Sequence, residues 1–129
     1  MGPTFLSLAE VLEIHRDQID RYGGAPGIRD IELLKSALGM PMATYGGQFL
    51  HTEIYEMASA YLFHLLKNHP FVDGNKRTAA VAALVFLALN GFYLDAPEDD
   101  FAETVLAVAR GQLAKADVAV FIRQFIRPA

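Results

Sequence analysis

The stretch His69-Pro70-Phe71-Val72-Asp73-Gly74-Asn75-Lys76-Arg77 gathers the residue types from which phosphate chemistry is built. Gly74, Asn75, Lys76 and Arg77 stand where an apolar helix begins, and the unpaired N–H groups and dipole of a helix N-terminus attract anions. Two cations at that end oppose the dipole, and nothing in helix stability asks for them, so an anionic ligand that compensates both is the economical reading. Asp73 is the carboxylate at hand for Mg²⁺, an ion content with one or two carboxylates while water and phosphate oxygens fill its other positions. His69 can act as general base, because an imidazole can take a proton from an attacking hydroxyl at neutral pH. Phe71 lies between them and is expected to point inward, pinning the loop to the core. Each residue alone has a plainer reading. A loop His is ordinarily structural, Asp-Gly is a turn, Asn caps helices, and Lys-Arg is a solvated pair. In combination they point to nucleotide-dependent group transfer onto a hydroxyl.

Two helices must hold this loop. Upstream, Ile54, Met57, Ala58, Tyr61, Leu62, Leu65 and Leu66 recur every three or four residues, which predicts an amphipathic helix from Thr52, as its cap, to about Lys67. Downstream, Lys76 to Leu89 predicts a helix whose middle is apolar on every side and therefore central, ended by Asn90-Gly91. Earlier, Ser7 and Glu10 form a capping-box pattern. They open a helix with Leu8, Val11, Leu12, His15, Ile19 and Tyr22 on one face, stopped by Gly23-Gly24. Asp30 can cap a short helix from Ile31 to Leu38, and Met42 to His51 reads as a loop or short hairpin. Pro97 with Glu98, Asp99 and Asp100 opens a further helix. A last one is predicted from Asp117, with Val118, Phe121, Ile122, Phe125 and Ile126 on its inner face. Strand patterns are scarce, so the expected class is all-α, in one domain spanning residues 1–129.

The loop resembles the signature of the Fic/Doc family, His-x-Phe-x-Asp/Glu-Gly-Asn-Gly-Arg-x-x-Arg, and is closer to its death-on-curing (Doc) branch, where the segment ends Asn-Lys-Arg. Asp20-Arg21-Tyr22-Gly23-Gly24-x-Pro26-Gly27 and the Asn90-Gly91 stop resemble Doc proteins too. The resemblance implies a helical bundle around a central buried helix, with at most a short hairpin or flap. It implies that His69 is the base, that Asp73 holds Mg²⁺, that Gly74, Asn75 and Lys76 form an anion hole, and that Arg77 contacts nucleotide phosphate. Lys76 stands where adenylyltransferases of the family have a second Gly, and Ala80 where they have a second Arg. A cation in the cradle and a missing guanidinium clamp argue against AMP transfer (AMPylation). In the Doc branch the change goes with transfer of the γ-phosphoryl group of ATP. Gly74 is the Fic residue, where the prototype Doc has Ala, so the chain is mixed. The implied activity is that of a toxin of a toxin–antitoxin pair, a kinase acting on a protein hydroxyl, by resemblance on elongation factor Tu. Nucleotidyl transfer by the same loop is the chemical alternative, and a catalytically silent nucleotide- or partner-binding module is the non-enzymatic one. Tyr45, Gly46 and Gly47 fall where family members carry a flap that docks the target segment as an added strand. Family members are often silenced by a Ser/Thr-x-x-x-Glu-Gly/Asn helix. Here the nearest string, Thr52 to Glu56, is followed by Met57, so inhibition is expected from a cognate antitoxin in trans.

Composition excludes several classes. The 129 residues are 53% hydrophobic and 20% charged, which rules out a disordered chain. The net charge of −4 lacks the broad basic field of a non-specific nucleic-acid binder. There is no Cys, hence no disulfide framework and no thiolate metal site, which fits a reducing compartment. The apolar run from Ala79 to Leu89 is shorter than the ~18 residues a bilayer helix needs. No membrane contact and a cytoplasmic location are therefore expected. His15-Arg16-Asp17 and Ala96-Pro97-Glu98 copy tripeptides of ordinary protein kinases, but without their Gly-rich loop or Asp-Phe-Gly they are coincidences. His15 is expected to pack on the apolar face of its helix. His64 borders its helix's apolar stripe as a lesser candidate to support the loop, and His51 carries no signal.

Overall fold

The computed structural model describes residues 2–129. Its elements run α1 (Leu8–Tyr22), α2 (Ile31–Gly39), β1 (Thr44–Tyr45), β2 (Gln48–Phe49), α3 (Ile54–Asn68), α4 (Asn75–Leu89), β3 (Phe92–Leu94), α5 (Glu98–Ala109), α6 (Lys115–Phe125) and β4 (Ile126–Pro128). The fold is mainly helical. Two antiparallel pairs, β1 with β2 and β3 with β4, are the only sheets among the described residues.

Small side chains make α4 the centre. Ala79, Ala82 and Ala83 are buried, so neighbouring helices approach its backbone closely. It packs most extensively on α3 and also touches α1, α5 and β3. Phe86 and Leu87 complete its inner surface, while Leu84 and Leu89 remain partly open to solvent. The helix is thus central without being covered on every side, because no element lies over that stripe. Buried residues of all six helices join one core, from Val11 in α1 to Ile122 in α6.

Helix ends follow their local chemistry. The Ser7–Glu10 capping box starts α1, and Gly23 ends it with positive φ. Asp30 accepts the Leu33 N–H at 3.0 Å and caps α2, which runs one residue further than expected, through Gly39. Thr52 does not cap α3. Glu53 takes that place, its N–H bonded to the Glu56 carboxylate at 3.0 Å, and the Thr52 hydroxyl donates to the same carboxylate. α6 begins at Lys115, and Asp117 in its first turn accepts the Ala114 N–H at 2.8 Å. Ile126, placed by periodicity on the inner face of α6, leaves the helix instead and pairs as strand with Leu94.

Thr4 and Ala129 meet at the C-terminal end of α4. Asn90 bonds Thr4 in both directions, at 2.8 and 2.9 Å, and the Ala129 N–H donates to the Gly91 carbonyl at 2.9 Å. The buried Tyr61 hydroxyl accepts the Leu6 N–H at 2.8 Å, and burial pushes its pKa up to about 12. Among the described residues no helix is long and apolar enough to cross a membrane.

Candidate active site

The α3–α4 connection, residues 69–74, crosses the top of the bundle. His69 caps the C-terminus of α3 in the left-handed conformation, φ 49° and ψ 55°, the one non-glycine residue with positive φ among those described. That region is costly for a residue with a Cβ and persists where surroundings enforce it. Its side chain is exposed. Gly74, also left-handed with φ 77°, then starts α4. The first backbone bond of that helix joins the Thr78 N–H to the Gly74 carbonyl, so the N–H groups of Asn75, Lys76 and Arg77 precede the helical ladder. They belong to a pocket of about 190 Å³ lined by His69, Val72, Asp73, Gly74, Asn75, Lys76 and Arg77.

Three sets of contacts fix the loop. Within it, the buried Asn75 amide takes the Phe71 N–H at 3.0 Å and donates to the Phe71 carbonyl at 2.9 Å. Its side chain is therefore occupied, and what Asn75 can offer an anion is its backbone N–H. From below, α1 presents His15, whose ring stacks on the buried Phe71 and whose Nε2–H donates to the Asp73 carbonyl at 2.8 Å. From the side comes the segment between α1 and α2. The Val72 N–H donates to Gly27, and the N–H groups of Arg29 and Asp30 share the Pro70 carbonyl at 2.7 and 3.0 Å. The Arg29 guanidinium forks onto two further carbonyls, His69 at 2.7 Å and Asn68 at 2.8 Å.

Asp73 is held as an anion. Its Oδ2 accepts the Ala25 N–H at 3.1 Å and its Oδ1 the Gly74 N–H at 2.8 Å. Those two bonds, in that order, lower its pKa, and the nearby charges of Arg77 and His15 act in the same direction. Gly24 makes the Ala25 contact possible, since a Cβ there would sit 2.7 Å from Asp73 Oδ2. Each carboxylate oxygen retains a lone pair. Among the described residues no three His, Asp or Glu side chains cluster as a metal cage. A single fixed carboxylate beside a pocket headed by helix N–H groups would suit Mg²⁺, which dehydrates reluctantly and takes its remaining ligands from water and phosphate.

The two cations differ. Arg77 donates to the Gly23 carbonyl at 2.9 Å and the Gln18 carbonyl at 3.3 Å, and lies 5.7 Å from the Tyr22 ring centroid. The C-terminus of α1 thus supplies protein partners for this cation, which the expectation of an anionic ligand compensating both charges did not include. Lys76 is exposed and forms no ion pair among the described residues. Next to the pocket, sharing Lys76 and Arg77, runs a nearly apolar groove of about 370 Å³ along Ala80, Phe101, Val105 and Leu106.

Other candidates fall elsewhere. His64 Nε2 faces Lys115 Nζ at 3.2 Å and does not support the loop. A larger cavity, about 640 Å³ between α3 and the α5–α6 turn, contains none of the loop residues. Tyr45, Gly46 and Gly47 form an exposed hairpin tip, both glycines having positive φ and Tyr45 being 82% exposed. Arg29 and the backbone role of His15 went unseen in the sequence. The residues matching the Doc-like segment from Asp20 to Gly27 were the available signal, because that segment runs into Arg29.

The family described as Fic/DOC matches residues 5–87, which include the whole loop. A protein of Escherichia phage P1 named "Protein kinase doc" is 33% identical over 120 residues, covering 92% of this chain and 93% of that protein. "Toxin Doc" of Mycolicibacterium smegmatis is 43% identical over 86 residues, 66% of each chain.

Proposed function

The chain belongs to the Fic/DOC family, and on that footing we propose that it is a toxin that transfers the γ-phosphoryl group of ATP to a hydroxyl of a target protein. The observation that carries this reading is the convergence of an exposed His69, an ionised Asp73, the leading N–H groups of α4 and Lys76 on one small pocket. In the proposed reaction His69 takes the proton from the target hydroxyl as its oxygen attacks the γ-phosphorus, and the bond from that phosphorus to the β–γ bridging oxygen breaks, releasing ADP. Gly74, the backbone of Asn75 and Lys76, and the side chain of Lys76 face the charge on the transferred group, and Arg77 holds an adjoining phosphate. Asp73 would hold Mg²⁺, which when bound neutralises phosphate charge.

A pocket of about 190 Å³ is smaller than the ~300 Å³ and more of sites that enclose a drug-sized ligand. It suits phosphate, and the neighbouring apolar groove leaves space for the remainder of a nucleotide. The names of the two relatives, one a protein kinase and one a toxin, support both halves of the reading. Elongation factor Tu is the proposed target and the Tyr45–Gly47 hairpin its proposed docking flap. A cognate antitoxin is the proposed brake. Glu56, which ends the nearest brake-like string, is bonded to Thr52 and to the Glu53 N–H and so is engaged in starting α3. A cytoplasmic site of action follows from that target.

The test is incubation with cell lysate, and with elongation factor Tu, using ATP labelled separately at the α and γ phosphorus beside a His69→Ala control. Label from γ alone, lost in the control, supports the kinase. Label from α means AMP transfer, and label from neither favours a silent binding module.

A further inference from the structure

We infer that Arg29 is a positioning residue for His69, holding its backbone in the conformation that aims the imidazole at the phosphate pocket. The inference rests on the reading of His69 as the proton acceptor. At the end of α3 the last carbonyls have no helical partner, and the chain reverses through a left-handed non-glycine residue. Both features call for an external support, and one side chain supplies it. Arg29 Nε donates to the His69 carbonyl at 2.7 Å and its Nη2 to the Asn68 carbonyl at 2.8 Å, while its own N–H holds the Pro70 carbonyl at 2.7 Å. Three successive carbonyls are thereby tied to one residue, about the pivot on which the imidazole turns. The planar fork matches two adjacent carbonyls in a way that a lysine ammonium cannot. Its charge also lies at the negative end of the α3 dipole.

Without the fork, His69 is free to relax toward negative φ, the ordinary region for a residue with a Cβ, and its ring leaves the pocket. The phosphate side is fastened separately, through Asn75, Asp73 and α1. Loss of Arg29 is therefore expected to act on turnover and to spare nucleotide binding. Misplacement of a reacting group by about 1 Å can cost on the order of 100-fold in rate.

The experiment compares Arg29→Ala, Arg29→Lys and the unaltered full chain in γ-phosphoryl transfer, with the His69 ring resonances followed by NMR and identified by their loss in His69→Ala. Expected are a fall in kcat of roughly 10- to 100-fold for Arg29→Ala, a KM for Mg-ATP within about twofold, and partial recovery in Arg29→Lys. The His69 ring resonances should shift in the same order. Unchanged resonances, or KM and kcat altered alike, would overturn the inference. If the unaltered chain transfers no γ label, the kinase reading fails, and the ring resonances still decide the part played by Arg29. Should Arg29→Ala fail to fold, Arg29→Lys carries the same comparison.

Discussion

The imidazole of His15 lies flat on the ring of Phe71, 3.8 Å between centroids and 6° from parallel. From there its Nε2–H reaches the Asp73 carbonyl at 2.8 Å, so α1 supports both the hydrophobic pin of the loop and the backbone of its carboxylate. His15→Phe preserves the stack and removes the bond. It is expected to keep the fold while weakening Mg-ATP binding, measured by calorimetry. His15→Ala removes both and should cost about 2 kcal/mol or more in denaturant unfolding. Equal unfolding of the two variants would show that the stack contributes nothing, and Mg-ATP binding unchanged in His15→Phe would show the same of the bond.

His69→Ala should lower transfer by roughly 100-fold or more, the range of a general base, with melting temperature and far-ultraviolet circular dichroism unchanged. The side chain is exposed, and its removal leaves no cavity. Retained activity would eliminate His69 as the base.

Asp73→Asn keeps the shape of the side chain and discards its charge. The Mg²⁺ dependence of nucleotide binding should shift to higher concentration, read from titrations at fixed ATP. Because the folded carboxyl has a pKa lowered from 3.8, its contribution to loop stability is present above that value and is lost as pH falls through the lower folded one. An unaltered Mg²⁺ titration would remove Asp73 from the metal site.

Burial first, and then the charge of Lys115, depress the pKa of His64 from 6.5 to about 4, and the same causes lower that of His51. A depressed imidazole is neutral in the folded chain. Its contribution is complete above pH 6.5 and drains away as pH falls toward 4, because the unfolded chain takes up the proton first. Unfolding midpoints should therefore decline over that window, and His64→Gln should flatten the decline. His64 is only half-buried, so solvent screening reduces the effect below the full shift.

Signals confined to neighbouring residues were legible in the sequence. Ser7 with Glu10, Asp30 before its helix and Asn90-Gly91 each announce an element end, and the loop from His69 to Arg77 is read directly as a candidate site. What escaped detection lies between distant residues and ends on backbone. Arg29 binds carbonyls 39 and 40 positions away, and His15 one that is 58 away. A carbonyl is present at every position, so no side-chain pattern marks the one that will be used. In an exposed Gly-Ile-Arg-Asp turn, Arg29 looks like a solvated charge. Strands of three residues, such as β3 and β4, are too short to display alternation, and Ile126 satisfied the helical period as well as the strand it joins.

The hydrogen bonds from Asn90 to Thr4 and from Ala129 to Gly91 place Thr4 and Ala129 at the foot of α4, the full length of that helix, ~22 Å, from the pocket at its head. A fluorophore or surface tether attached beside Thr4 or Ala129 will therefore stand clear of whatever enters that pocket.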